Sequence, residues 1–311
     1  MIEWLLDSDP AIRWQVMHDL TGAPADAVAA ERARVATEGW GARLLAVRDP
    51  DGQWMGGAFI PAPGRGEPPA EGSQPWTATM WALMDLYAFG LDPASDIARE
   101  MTALVAANCR WEYDGSRFFD GEVEACINGR AVTVGAYFGA DVDGLVARLL
   151  ADQLDDGGWN CWTEHGATVS SFHSTICVLE GLLEYERATG GSDEIEAARH
   201  RGEAYLLERA LFRRKSTGEV VVDHWLKFSF PPRWSYDVLR GLDYFRAADV
   251  RDERLAEAIE LVRAKCQADG RWLLENTHPG AVHFELEDGD GRPSRWNTLR
   301  AARVLAWWES V

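Results

Sequence analysis

Basic residues are scarce in this chain of 311 amino acids. Lysine and arginine together number 31, against 50 aspartates and glutamates, which gives a formal net charge of −19. Nucleic acids and anionic membrane surfaces are bound through basic patches. We therefore expect no nucleic-acid partner, and we interpret the acidity as a feature that favours solubility.

Long apolar segments are absent as well. No run of about eighteen apolar residues occurs, so we expect no membrane span. The first fourteen residues, MIEWLLDSDPAIRW, hold neither a basic nor a continuous apolar segment, and we expect no signal peptide or anchor there.

Cysteines are few and odd in number, at five. With no secretory context, we expect reduced thiols in a cytoplasmic protein. Cys109, Cys177 and Cys266 lie in apolar helical patterns and are expected in the core. Cys126 and Cys161 are candidates for metal binding.

Tryptophan, in contrast, is abundant, with fifteen residues. Six helix-like segments begin at one recurrent position, spaced by roughly 50–60 residues, as in stacked helical hairpins. The six positions are Trp14, Trp76, Cys126, His173, Trp234 and Trp296. The change from tryptophan to cysteine and histidine at two positions predicts a local chemical function. The alternative is a buried thiol and a hydrogen-bonded imidazole that fill the core.

Charged amphipathic segments alternate with these six more apolar ones. Their apolar residues recur every three to four positions, which is typical of exposed helices packed on an inner layer. The alternation predicts an all-α fold, an α/α toroid of six helical-hairpin repeats that forms a single domain over residues 1–311.

A shared turn with the pattern Asp-Gly-x-Trp follows several outer helices, at residues 51–54, 156–159 and 269–272, with a degenerate copy at 114–118. Glycine permits the positive φ of such a turn, and the aromatic is expected to pack between layers. Gln153 and Gln267 precede two copies. The pattern resembles the QW repeat of squalene and oxidosqualene cyclases, which is also found in protein prenyltransferase β-subunits. The resemblance covers nearly the whole chain and implies the toroid fold, with these residues in structural roles.

Four residues form a candidate zinc site. Cys126 and His173 open neighbouring inner helices, which places them at the same level; Cys161 lies on the loop before the His173 helix, and Glu124 precedes Cys126 by two residues. Thiolate, imidazole and carboxylate suit zinc, and helix N-termini favour thiolate over thiol. We therefore predict Zn²⁺ bound by Glu124, Cys126, Cys161 and His173.

The same residues carry a second resemblance. Val123-Glu124-Ala125-Cys126 resembles the Asp-x-Cys pair of protein prenyltransferases, and residues 172–182 are similar to their segment with the third zinc ligand. The resemblance implies Glu124, Cys126 and His173 as ligands, with Glu in place of Asp and a shorter interval. Cys161 has no counterpart there. It is either a fourth ligand or a replacement for Glu124, as in the Cys-Cys-His set of lanthionine cyclases.

Two other catalytic signatures are missing. The Asp-x-Asp-Asp cluster of class II terpene cyclases has its nearest match at residues 141–144, which we interpret as a helix cap and first-turn acids. Gly57, Gly64 and Gly66 lie in a proline-interrupted loop rather than between a strand and a helix, so no nucleotide site is expected.

Long loops precede the inner helices at residues 55–75, 160–172, 216–232 and 273–295, and we expect them at one end of the ring. Function is expected there. Arg233 and Arg295 should lie near that rim, available to an anionic group or to loop acids. Aromatic residues are predicted to line an apolar substrate cavity: Trp76, Trp81, Tyr137, Trp234, Tyr236 and Trp296.

These features predict a zinc-dependent enzyme similar to terpenoid cyclases and prenyltransferases, acting on a small hydrophobic, isoprenoid-like molecule. Zinc would activate a water or a thiol, with Glu124, Asp223 and His224 as catalytic candidates. One alternative is a metal-independent glycoside hydrolase or lyase that uses loop carboxylates, including Glu285 and Glu287. Another is a non-enzymatic carrier of a hydrophobic ligand. No sequence feature indicates an oligomeric state.

Overall fold

Helices form nearly all of the regular structure, which a computed structural model describes for residues 1–66 and 73–310. The all-α prediction is confirmed. The α-helices are α1 (Ile2–Leu6), α2 (Pro10–Asp19), α3 (Ala25–Ala33), α4 (Gly39–Ala46), α5 (Thr79–Phe89), α6 (Asp96–Asn108), α7 (Ala125–Phe138), α8 (Asp143–Ala151), α9 (Phe172–Thr189), α10 (Asp193–Leu207), α11 (Val238–Ala247), α12 (Ala256–Ala264) and α13 (Arg295–Glu309).

Short elements complete the described structure. Strands β1 (Trp272–Leu273) and β2 (Pro293–Ser294) pair antiparallel, with Trp272 opposite Ser294. Single turns of 3-10 helix lie at Arg34–Ala36, Phe118–Asp120, Thr163–His165, Asp223–Leu226 and Glu253–Leu255. None of the helices in the described part of the chain combines the length and the apolar character needed to cross a membrane.

The chain forms two compact units. The terminal unit comprises Met1–Trp40, Tyr205–His278 and Glu285–Val311, and the middle unit comprises Gly41–Ala204 and Pro279–Phe284. In the terminal unit α13 packs against α11 and α2, while α3 contacts α2 and α12 contacts α11. In the middle unit α7 packs against α5 and α9, and α6 and α8 contact α7. These contacts agree with the predicted pairing of neighbouring helices, and the alternation of inner and outer helices around a closed ring in a single domain stays a prediction.

Burial distinguishes the two kinds of helix. In α7, twelve of the fourteen residues are buried. In α8 the buried residues are Leu145, Val146 and Leu149, on one face of the helix. This difference agrees with the contrast between all-round apolar and amphipathic segments in the sequence.

One set of hydrogen bonds occurs at all three Asp-Gly-x-Trp turns. The indole N–H of Trp54, Trp159 and Trp272 donates to the carbonyl oxygen ten residues earlier, on Leu44, Leu149 and Val262 respectively, at 2.7–2.9 Å. The backbone N–H of each tryptophan donates to a threonine hydroxyl on the next inner helix, Thr79, Thr175 or Thr298, at 3.0–3.1 Å. The turn glycines Gly52, Gly157 and Gly270 have positive φ, as predicted. Each turn thus ties an outer helix to the following inner helix.

The positions of the hydrogen-bonded threonines and the bounds of the helices show that the predicted alignment of helix starts is partly wrong. Cys126, His173 and Trp296 are each the second residue of a helix, as predicted. Trp76 lies three residues before Thr79, and therefore corresponds to Phe172 rather than to His173. The alignment is also wrong at the two remaining positions, since Trp14 lies within α2 and Trp234 lies four residues before α11.

Contacts between long loops occur in both units. In the middle unit the N–H of Gln74 donates to the carbonyl of Pro279 at 3.4 Å, and in the terminal unit the N–H of Glu275 donates to the carbonyl of Phe228 at 3.0 Å. Loop 273–295 thus contacts loops 55–75 and 216–232; residues 67–72 of loop 55–75 lie outside the described residues. The gathering of all four loops at one end stays a prediction.

Candidate metal centre

Helices α7 and α9 approach each other through two glycines. A Cβ atom added to Gly129 would lie 2.5 Å from the carbonyl oxygen of Cys177, and one added to Gly181 would lie 2.4 Å from the carbonyl oxygen of Gly129. Such distances are far below a van der Waals contact, so the two backbones touch at positions that only glycine fits. The close packing brings the N-terminal turns of α7 and α9 together.

Three candidate ligands meet at these helix starts. Glu124 is the N-cap residue of α7 and Cys126 its second residue, while Cys161 follows the buried Trp159 by two positions. One carboxylate oxygen of Glu124 and the two sulfur atoms all lie within 4.8 Å of one another. All three residues are half-buried, so the group is held by the protein and still borders solvent.

The sulfur of Cys161 accepts hydrogen bonds from both helices. The backbone N–H of Cys126, in the first turn of α7, donates to it at 3.2 Å, and the hydroxyl of Ser174 in α9 donates to it at 3.1 Å. The Ser174 oxygen also accepts the N–H of Cys161 at 3.1 Å. Ser171, the N-cap residue of α9, donates its hydroxyl to Ser174 at 2.9 Å. The helix cap and the Cys161 loop are therefore one hydrogen-bonded assembly.

These contacts give the two thiols different acidities. Interaction with the Cys126 side chain lowers the pKa of Cys161, and the hydrogen bonds from Ser174 and the Cys126 amide lower it further, although burial opposes them. The same interaction between the two sulfurs, together with burial, raises the pKa of Cys126 well above its ordinary value. These contacts therefore favour ionisation of Cys161 before that of Cys126.

The start of α7 holds Glu124 in place. The thiol of Cys126 donates to the Glu124 carboxylate at 3.4 Å, and the backbone N–H of Glu124 donates to the carboxylate of Glu122 at 2.8 Å. The buried side chain of Asn128 binds both the N–H and the carbonyl of Glu122, at 2.8 and 2.7 Å. Burial raises the pKa of Glu122.

The distance between the Cys126 sulfur and the Glu124 oxygen suits a tetrahedral zinc ion. With Zn–S distances of about 2.3 Å and Zn–O of about 2.0 Å, tetrahedral angles place two sulfurs ~3.8 Å apart and a sulfur and an oxygen ~3.5 Å apart. The sulfur of Cys126 lies 3.4 Å from the Glu124 oxygen. An ion could therefore bind with small side-chain adjustments.

His173, the fourth predicted ligand, is not in this group. It is the half-buried second residue of α9, and its ring nitrogens do not lie within 4.8 Å of all three ligand atoms. Its neighbour Ser174 is the residue that faces Cys161. The role of His173 as a ligand stays a prediction.

The other predicted catalytic residues belong to the terminal unit. Asp223 and His224 lie on the 3-10 turn Asp223–Leu226, and both are exposed, as is Glu285. Glu287 differs, because its carboxylate accepts hydrogen bonds from the hydroxyl of Ser294 at 2.6 Å and from the N–H of Trp296 at 3.2 Å. Burial raises the pKa of Glu287 to about 7.

Most of the predicted cavity aromatics take part in packing. Trp76 and Trp81 are buried edge to face with ring centroids 4.7 Å apart. Trp296 stacks on Phe230 at 4.2 Å, and the hydroxyl of buried Tyr236 donates to the Leu211 carbonyl at 2.7 Å. Half-buried Tyr137 donates to the Leu91 carbonyl at 2.9 Å, whereas Trp234 is exposed. A cavity lined by these six residues stays a prediction.

The two arginines that were predicted near the rim lie in different environments. Arg233 is buried, while the guanidinium of Arg295 lies over the ring of Trp4, 4.4 Å from its centroid.

The predicted burial of the remaining cysteines is correct for two of the three. Cys109 and Cys177 are buried, as predicted, but the prediction for Cys266 is wrong because this residue is exposed. Cys266 lies two residues after the end of α12, where the apolar pattern no longer applies.

Ser174 was missed at the sequence level. Its only signal is the spacing of Ser171 and Ser174, which is typical of a helix N-cap and carries no chemical indication. Searches against known protein families and curated proteins found no match to this sequence, so the evidence for function comes from the chain's own residues.

Proposed function

We propose that this protein is a zinc-dependent enzyme whose ion is bound by Cys126, Cys161 and Glu124. The observation that carries the proposal is the convergence of two thiols and a carboxylate within 4.8 Å at the starts of two closely packed helices. Thiolate-rich sites select zinc over hard cations such as Mg²⁺ and Ca²⁺.

The number and exposure of the ligands favour a catalytic role. Structural zinc sites have four protein ligands, whereas three leave one tetrahedral position for water or substrate. All three residues here are half-buried, which is compatible with access from solvent. A zinc ion in such a site supplies a water with a pKa of roughly 7, or activates a substrate thiol.

The surrounding residues support binding of a cation. Ser174 and the Cys126 amide donate hydrogen bonds to the Cys161 sulfur, and such bonds favour the thiolate that a cation binds. The proton on Cys126, which is shared with Glu124, is the one that a cation replaces. Metal binding should therefore release a proton, and the affinity should rise with pH.

The substrate that we propose is small and apolar, in agreement with the cyclase-like and prenyltransferase-like resemblance of the sequence. Directly after Cys161 comes Trp162, whose side chain is 68% exposed, and Val169 on the same loop is 61% exposed. Asn160 closes this loop, since its side chain accepts the N–H of Trp162 at 2.9 Å and donates to the carbonyl of Val169 at 2.7 Å. Apolar side chains held outward next to a candidate ligand support an apolar substrate.

Metal analysis of protein purified without added zinc tests this function. We expect one zinc per chain, lost in Cys126→Ser and Cys161→Ser, because a hydroxyl is a poor substitute for a thiolate. Cys266→Ser is the matched control, since it removes an exposed thiol outside the group and should keep the ion. Zinc-free wild-type protein that also fails to bind added zinc, or full zinc in Cys126→Ser, would contradict the proposal.

Circular dichroism of the zinc-free variant distinguishes a catalytic from a structural ion. We expect Cys126→Ser to keep its helicity, because the buried apolar helices supply most of the stability. Loss of helicity together with zinc would indicate a structural site, since binding of structural zinc is coupled to folding.

Acid–base catalysis by a loop carboxylate is the second candidate function, favoured by Glu287. A carboxyl with a pKa of about 7 is still protonated in about half of the molecules at neutral pH, and this protonated fraction can act as a general acid. If Glu287 titrates in the ordinary range of a glutamate, this candidate loses its support.

A further inference from the structure

Two cysteine side chains of the candidate metal centre are close enough to react with each other. The sulfurs of Cys126 and Cys161 lie within 4.8 Å, and the backbone N–H of Cys126 lies 3.2 Å from the sulfur of Cys161. A disulfide has an S–S distance of about 2.05 Å, so the sulfurs need to approach by at most ~2.8 Å. Rotation of a cysteine side chain moves its sulfur by a comparable distance.

We propose that Cys126 and Cys161 form an intrachain disulfide in the metal-free protein, with a low-molecular-weight disulfide such as glutathione disulfide as the oxidant. The Cys161 thiolate attacks one sulfur of glutathione disulfide, which forms a mixed disulfide and releases one glutathione thiolate. Cys126 then loses its proton, attacks the Cys161 sulfur and displaces the second glutathione. Two protein thiols are oxidised, and one glutathione disulfide is reduced to two glutathione thiols.

Neighbouring residues assign different roles to the two sulfurs. The Cys161 sulfur accepts hydrogen bonds from Ser174 and from the Cys126 amide, which stabilise the attacking thiolate. The Cys126 thiol donates to Glu124 at 3.4 Å, so the carboxylate is placed to receive its proton in the second step.

The other cysteines lack this arrangement. Cys109 and Cys177 are buried, so a bulky oxidant does not reach them in the folded protein. Cys266 is exposed and lies outside the group, so glutathione disulfide should give an adduct there rather than a cross-link.

Disulfide formation and metal binding exclude each other, because a disulfide removes both thiolate ligands. This consequence rests on the proposed zinc site, whereas the disulfide itself does not. The centre would then lose its metal in an oxidising environment and regain it on reduction.

The experiment uses the full-length Cys266→Ser variant, treated with a chelator and then with glutathione disulfide. We expect thiols counted in denaturant to fall from four to two, and mass spectrometry of a digest to show a peptide containing Cys126 linked to one containing Cys161. Four remaining thiols, or a stable glutathione adduct without a cross-link, would overturn the proposal.

Two further variants test the assigned roles. Cys126→Ser in the same background should stop at a glutathione adduct on Cys161. Ser174→Ala, which keeps both cysteines, should form the disulfide several-fold more slowly. An unchanged rate would show that Ser174 does not assist the reaction. If Cys126→Ser does not fold, the cross-linked peptide of the parent variant still decides the question.

Added zinc separates the two proposals. Protection of both thiols by stoichiometric zinc supports both. A cross-link that forms equally with and without zinc, in protein that binds no zinc, would refute the proposed function and leave the disulfide established.

Discussion

A single methyl group at the contact between α7 and α9 should destabilise the protein. In Gly181→Ala the new Cβ would lie 2.4 Å from the carbonyl oxygen of Gly129 and 3.3 Å from the Cβ of Val132. A relaxed contact between carbon and oxygen is about 3.4 Å, so the helices must separate by ~1 Å. The closest atom is backbone, which cannot rotate away as a flexible side chain can.

The size of the effect follows from two opposing contributions. Overpacking costs about 1–3 kcal/mol and more where backbone must move. Alanine in place of glycine inside a helix stabilises the folded state by about 1 kcal/mol. We therefore expect Gly181→Ala to lower the free energy of unfolding by about 2 kcal/mol, measured by urea denaturation.

Gly144→Ala is the matched control. Gly144 is the second residue of α8, and an added Cβ there would meet nothing within 4 Å. The same chemical change should be neutral or stabilising by up to about 1 kcal/mol. Equal effects of the two substitutions would show that helix propensity, rather than the close contact, decides the outcome.

Gly181→Ala should also weaken zinc binding. Gly129 follows Cys126 by three residues, so a shift of α7 at this contact also moves Cys126 relative to the Cys161 loop. Metal–ligand distances tolerate only about ±0.2 Å, which is small beside a separation of ~1 Å. A competition assay should show a lower zinc affinity for Gly181→Ala than for Gly144→Ala. A Gly181→Ala protein as stable as the wild type, with unchanged affinity, would refute the argument.

Two further predictions concern half-buried carboxylates of the terminal unit. Burial alone would raise the pKa of Asp243, but Arg303, Arg246 and Arg300 lower it below its ordinary value, so its stabilisation is present above about pH 4 and is lost as the pH falls towards the folded-state pKa. Asp243→Asn should cost about 3–5 kcal/mol at pH 7 and show a weaker acid dependence of its urea midpoint; an unchanged midpoint at pH 7 would contradict this. Glu287 should have the opposite effect on the pH dependence of stability. Its folded-state pKa of about 7 exceeds the unfolded value of about 4.3, so wild-type stability should fall as the pH rises between these values. Glu287→Gln keeps an acceptor for Ser294 but cannot ionise, and its stability should vary less between pH 5 and pH 8; an equal fall would assign the effect to another group.

Local patterns in the sequence predict the helices well. The amphipathic segments became α3, α4, α6, α8, α10 and α12, and the more apolar ones became α2, α5, α7, α9, α11 and α13. The Asp-Gly-x-Trp turns also have the predicted conformation. Both features depend on residues close in sequence, whose periodicity and φ preferences are local properties.

The candidate metal centre was predicted only in part, because it depends on side-chain direction. Glu124, Cys126 and Cys161 converge as expected, whereas His173 does not lie within 4.8 Å of all three ligand atoms and its role as a ligand stays a prediction. A helix start fixes the level of a residue along the axis but not the direction of its side chain. The role of Ser174 follows from the close contact at Gly129 and Gly181, which joins residues about fifty positions apart. No local pattern reports such a contact.

The tryptophan–threonine hydrogen bond has a consequence for the evolution of this protein. The bonded residues are 25, 16 and 26 positions apart at Trp54, Trp159 and Trp272, yet the bond is 3.0–3.1 Å long each time. Helices α5, α9 and α13 are therefore each anchored independently of the length of the loop before them. Insertions and deletions of about ten residues can accumulate in these loops while the helices keep their places. Relatives of this chain should vary most in these loops, so that new binding specificities can arise on an unchanged scaffold.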